Sequence, residues 1–197
     1  MELSQAAGYF NSVPLDGWNG TAWVSDVAYG DFMTYDRFLG PRTFGHLQRM
    51  FHIKGDGAEV QPYEVVRSPE GQIYIVSSYN HDFRGSEAYA TSFLLQEAHY
   101  TAQIVTYTTT PAPSGIGGTR IETLSDTYFC HMERYNSERS GEVDVVRYGT
   151  FVFTFPMSVL SVLSVDKEVR LGGVDYELKE VHRTLNVAEA RGMERGT

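Results

Sequence analysis

Alternation between apolar and polar positions is the dominant pattern along this chain, and it is clearest near the C-terminal end. Tyr176 and Leu178 fall on one phase, Glu177 and Lys179 on the other. A period of two is that of a strand with one buried face. The segment before it, Val169 to Leu171, runs into Gly172 and Gly173. A Gly-Gly pair between two such segments predicts a tight hairpin. Further upstream, Phe151, Phe153 and Phe155 alternate up to Pro156, which predicts another strand over residues 143–155.

The same grammar recurs in the first half. Asn19-Gly20 between Trp18 and Trp23 predicts a hairpin. Strands are expected at 50–53, 63–67, 72–79 and 127–133. The segment 68–71, with Pro69 second and Gly71 fourth, is a type I turn signal. Residues 80–87 read as a polar loop. Residues 89–107 read as one or two strands, with 92–99 also compatible with a short helix. A polar turn is expected at 136–141, one helical turn at 187–191, and a frayed end over 192–197. The segment 108–118 holds two prolines and three glycines, which deny it a regular ladder.

A shift of 102 residues superimposes parts of the two halves. Phe51 and Ile53 fall on Phe153 and Phe155. Gly71, Tyr74 and Val76 fall on Gly173, Tyr176 and Leu178, and Tyr79 and Phe83 on Val181 and Leu185. In both copies the apolar positions run from Tyr to two on, then to three further on. A step of three within a period of two implies a bulge or a strand end. The expected class is therefore all-β, with a β-barrel-like module at the C-terminus and a candidate duplicated pair of β-modules. The domains read as 1–107, a β-rich module with an aromatic arm; 108–118, a Pro/Gly loop or linker; and 119–197, the C-terminal barrel.

Composition narrows the function classes. With 197 residues and 42% hydrophobic content the chain supports a globular core. Its net charge of −9 disfavours gripping phosphates, without excluding a wall that DNA passes without sticking. A single cysteine, Cys130, excludes an intramolecular disulfide and a Cys-based zinc site. The longest nearly apolar run, 151–165, is too short and too polar to span a bilayer, so no membrane partner is expected.

Reactive motifs are sparse. No two of the six histidines have the spacing that puts a metal-binding pair on one helix face. Cys130 and His131 are strand neighbours and would point to opposite faces. No phosphate-binding glycine loop or nucleophile elbow is present. No catalytic residue, cofactor or metal is expected, and the chain reads as a non-enzyme. The interaction candidates are Trp18 and Trp23 as aromatic anchors, and Pro111, Pro113 and Ile116 in the irregular segment.

The elements Phe153 to Pro156, Asp166, Val169 to Gly173, Tyr176 to Leu178 and Val181 resemble the head-closure (stopper, or head–tail joining) neck proteins of tailed bacteriophages. The resemblance covers residues 143–190. It implies a structural virion protein: a β-barrel subunit of a homo-oligomeric ring at the head–tail interface. Its partners would be copies of itself, a portal or adaptor protein, a tail-terminator or tail protein, and passing DNA bound without specificity. It would be made in the bacterial host cytoplasm. Such a ring leaves room for a self-complementary strand edge covered by a neighbouring subunit. Two other readings remain open: another tail, baseplate or capsid-decoration protein, and a small β-barrel binding protein or enzyme using His81, Asp82 and His131.

Overall fold

The computed structural model describes residues 12–33, 48–111, 118–134 and 150–195. The chain divides into two compact units, Met1–Ala98 and His99–Thr197. In the first unit lie β1 (Val13–Trp18), β2 (Trp23–Met33), β3 (Gln48–Lys54), β4 (Val65–Arg67), β5 (Ile73–Arg84) and β6 (Glu87–Glu97). In the second lie β7 (Tyr100–Pro111), β8 (Gly118–Arg134), β9 (Thr150–Pro156), β10 (Glu168–Leu171), β11 (Val174–Thr184) and β12 (Val187–Glu194). A short 3-10 helix, Met157–Ser161, follows β9.

Each unit is a closed antiparallel barrel. The first has the order β1-β2-β3-β6-β5-β4, the second β7-β8-β9-β12-β11-β10. Adding six to each strand number of the first gives the second, so the two halves share one topology. Closure pairs the outermost strands of each sheet with one another, and the inward side chains fill the interior. Leu15, Phe51, Ile53, Tyr74, Val76, Phe93 and Leu95 fill the first barrel. Ile104, Cys130, Phe153, Phe155, Tyr176, Leu178 and Ala190 fill the second.

The offset read from the sequence holds in three dimensions. β3 and β9 begin at 48 and 150 and end at 54 and 156, a constant offset of 102. Phe51 and Phe153 are both 0% exposed. Register slips between Val76 and Ser78 in β5, and between Leu178 and Glu180 in β11, again at an offset of 102. These slips are the bulge that the step of three implied. Gly71 and Gly173 both have positive φ, 85° and 86°.

A second correspondence runs at a smaller offset. Register also slips between Leu15 and Gly17 on β1, and between Gln103 and Val105 on β7. The residue inside each slip pairs with the strand that closes the barrel, Asp16 with Arg67 and Ile104 with Val169. The stretch of chain from β1 to β4 is therefore shorter than that from β7 to β10, while the bulges keep their place.

Several local expectations need correction. Residues 80–84 continue β5, so the predicted polar loop shrinks to the turn joining Arg84 to Glu87. Residues 92–97 are strand, because cross-strand partners on β3 and β5 override the ambiguous local pattern. Val187–Glu194 is β12, lying between β9 and β11, and forms no helical turn. The end is also tied down: β12 reaches Glu194, and Arg195 donates a backbone bond to Asp175. The domain boundary lies at 98/99, and residues 108–111 belong to β7, paired with 118–121. Pro111 is tolerated there because it ends the strand. The turn expected at 136–141 and the residues Pro113 and Ile116 lie outside the described residues.

Candidate interaction surfaces

The closing seam is the shortest pairing in each barrel, and each is braced by an arginine, carboxylates and an aromatic ring. In the first, β1 meets β4 through two paired positions, Asp16 with Arg67 and Gly17 with Val66. Arg67 Nη2 donates to Asp16 Oδ2 at 2.6 Å, and the guanidinium lies 4.5 Å from the Trp23 ring centre. Asp16 Oδ1 accepts the Asp26 amide at 3.2 Å. Trp18 and Trp23 are cross-strand partners with ring centres 5.2 Å apart. The Asn19 side chain accepts the amides of Thr21 and Ala22, which fixes the turn between them. The two tryptophans are half-buried within this brace.

In the second barrel β7 meets β10 at Gln103, Ile104 and Val105. Glu168, on β10, is 5% exposed. It accepts the Tyr107 hydroxyl at 2.8 Å and Arg195 Nη1 at 2.8 Å, with Arg120 at 3.7 Å. The Arg120 guanidinium stacks 3.4 Å from the Tyr107 ring centre. Beside it Arg170 donates two bonds to Asp175, at 2.6 and 2.8 Å, and also binds Glu122. Burial, followed by the bond to Glu168, raises the Tyr107 phenol above its ordinary value. The sequence reading passed over this network because its members lie on β7, β8, β10 and β11 and after β12. The only local signal was alternation on β8, with Arg120 and Glu122 in one phase.

The seam carboxylates give a pH prediction. Hydrogen bonds from Arg67 and Arg170 hold Asp16 and Asp175 below the ordinary carboxylate range. A depressed folded value stabilises the fold above the unfolded value and is lost as pH falls through the folded one. The melting temperature should therefore be flat with respect to these groups above about pH 5 and fall below about pH 4. The double variant Asp16→Asn, Asp175→Asn should start lower at neutral pH and fall less steeply. An unchanged acid slope would remove these two groups from the account.

The alternative catalytic groups take ordinary structural places. His81 Nδ1 lies 2.9 Å from Thr91 Oγ1, which itself donates to the Gly55 carbonyl. The Thr91 proton is thereby committed, so His81 Nδ1 is the donor. His81 also packs edge-on against Tyr79 and Phe83. His131 is 3% exposed and lies 3.8 Å from Glu133. Cys130 is sealed in the second core, where burial pushes its thiol up to about 12. A thiol so placed does not supply thiolate at neutral pH. Among the described residues, no group of three His, Cys, Asp or Glu side chains is placed to hold a metal ion. No described helix is long and apolar enough to cross a membrane.

No protein-family model matches the chain, and no curated protein matches it. The surface features that remain are exposed. Phe83, at 63%, and Leu185, at 65%, mark the ends of the β5–β6 and β11–β12 hairpins. Tyr79 and Tyr89 are exposed at 43% and 58%. The outer half of the β7–β8 hairpin is exposed throughout from Thr108 to Pro111 and from Gly118 to Leu124.

Proposed function

We propose that this chain is a structural building block of a tailed-phage neck, working as a homo-oligomeric ring that joins the portal or its adaptor to the tail and helps close the DNA channel. The observation that carries this reading is the tandem barrel itself. The resembling elements all lie in one closed barrel: Pro156 ends β9, Asp166 precedes β10, Gly172 and Gly173 turn β10 into β11, and Tyr176 packs in the core. The first barrel repeats that topology. Ordered rings are built by repeating such rigid units, and the acidic balance of the chain suits a channel wall that does not trap DNA.

The test is the composition and morphology of particles made by a phage that encodes this chain. Purified particles should contain it in a fixed ratio to the portal, and label should map to the neck. Deleting its gene should leave filled heads that lack tails and lose DNA. A chain mapped to the baseplate or capsid surface would move it to the other structural classes. Complete absence from particles, with infectious tailed virions in the deletion, would remove the reading.

A further inference from the structure

The β7–β8 hairpin outgrows its barrel. β10 covers β7 only at Gln103, Ile104 and Val105, and β9 covers β8 only from His131 to Arg134. Beyond those points the two strands continue as a ribbon, paired from Thr106 with Thr123 to Pro111 with Gly118. No other described strand pairs with either side of it. Among the described residues the outer side of β7 is thus uncovered over 106–111 and that of β8 over 118–130, each offering backbone N–H and C=O groups, Pro111 a carbonyl alone.

Its two faces differ in chemistry. Cross-strand partners project to the same side. One face carries Tyr107, Arg120 and Glu122, the members of the network that tie the ribbon to Glu168, Arg170 and Arg195. That side holds the arm in place. The other face carries Thr106, Thr108, Thr110, Thr119, Ile121 and Thr123, with Ile121 49% exposed. All six are β-branched and none is charged, the composition best suited to a sheet interior.

Exposed edges are normally protected by charge. The free side of β11 follows that rule, with Glu180, His182 and Arg183 along it. The Thr/Ile face of the arm does not. We propose that the β7–β8 arm is the contact between copies of this chain, the β7 edge of one arm pairing with the β8 edge of the next. Two features point to a second copy as the occupant. One arm carries an open β7 edge and an open β8 edge, so it supplies both halves of a repeating contact. In a chain of net charge −9, an uncharged face is where two copies approach with least repulsion. An edge-to-edge contact of unlike edges is head-to-tail, and head-to-tail contacts form a ring when the rotation between copies closes and a filament when it does not. Closure rests on the neck-ring reading above; the pairing of arms does not.

Cysteine cross-linking of the full chain tests the contact. Cys130 is buried and serves as a silent internal control. One preparation carries Thr108→Cys and a second carries Ile121→Cys, so that a bond between them joins two copies. Oxidising the mixture should give a covalent dimer at least about tenfold above either preparation alone. Neighbouring positions 106, 110, 119 and 123 should define the register. Cross-linking equally strong in a single preparation would overturn the head-to-tail pairing. A second measurement uses Thr108→Lys with Ile121→Lys, which adds like charge to the arm face. Circular dichroism and melting should stay as in the parent, while the concentration for half-assembly, by sedimentation velocity, rises at least about tenfold. Assembly unaffected by these lysines would overturn the arm contact and leave the ring reading standing. So would cross-links in particles that join the arm to a different chain. A dimer formed by a chain absent from particles would keep the arm contact and remove the neck reading.

Discussion

Phe153→Ala is expected to destabilise the second barrel by about 3–5 kcal/mol, and Phe51→Ala the first barrel by a similar amount. Both rings are fully buried. Phe153 stacks on Phe155, with centres 6.4 Å apart, and meets Tyr176 edge-on at 5.2 Å. Phe51 meets Phe32 edge-on at 5.0 Å. A small closed barrel relaxes poorly around a lost ring, because its hydrogen-bonded wall is continuous and cannot fold inward. The cavity is therefore retained, and the cost lies at the upper end for a large-to-small change. Amide exchange read separately on peptides from each barrel checks this. Protection should fall first in the barrel that carries the substitution. A loss under about 1 kcal/mol at either site would mean that the two positions are not equivalent core positions.

That equivalence was legible in the sequence because it rests on the most local rule available. Alternation with a step of three placed Tyr74, Val76, Tyr176 and Leu178 in cores and put a bulge after each pair, and the register slips there. Gly172 and Gly173, with φ of 59° and 86°, were readable for the same reason: a two-residue turn between strands needs that backbone. The extent of the strands was less legible. Residues 80–84 are polar but for Phe83 and yet extended, since their cross-strand partners from Ser92 back to Glu87 fix them. Phe83 and Leu185 aligned as apolar positions of the repeat, yet both are exposed, because hairpin ends lie beyond the core. The boundary was misplaced for a related reason. Prolines and glycines around residue 111 mark the end of a long hairpin as plainly as they would mark a linker, and composition alone does not separate the two.

The candidate surfaces were legible only in part. Trp18 and Trp23 were found through the Asn19-Gly20 turn, and they do sit together. Their partner Arg67 lies 44 positions beyond Trp23 in the chain, and nothing short-range pointed to it. The network around Glu168 was hidden in the same way. It exists because closure brings β10 beside β7, a contact that only the complete topology creates.

Glu168→Ala is expected to cost about 2 kcal/mol and to loosen the β7–β8 arm. The position aligns with Val66, which packs in the first core, but Glu168 adjoins the core residue Val169 and lies on the opposite face of β10, the face of Arg170. In the second barrel a carboxylate occupies it, and its burial is offset by the Tyr107 hydroxyl and the Arg195 guanidinium, each at 2.8 Å. Alanine leaves the phenol without its acceptor and removes the anion between two cations. A fully buried pair broken in this way would cost about 3–5 kcal/mol. Arg120 and Arg195 are 48% and 46% exposed, so water recovers part of their solvation and the cost is smaller. Glu168→Gln, which retains an acceptor for Tyr107, should lose only about 1 kcal/mol. Glu168→Val keeps much of the volume but none of the bonds, and so separates packing from anchoring. If anchoring dominates, the valine variant will keep much of its melting temperature while amides on β7 beyond Val105 exchange faster. An alanine variant within about 0.5 kcal/mol of the parent, with unchanged exchange on β7, would show that backbone pairing alone holds the arm. The expected split ties the copy-specific carboxylate to the copy-specific arm, since β1 and β2 of the first barrel carry no extension of comparable length.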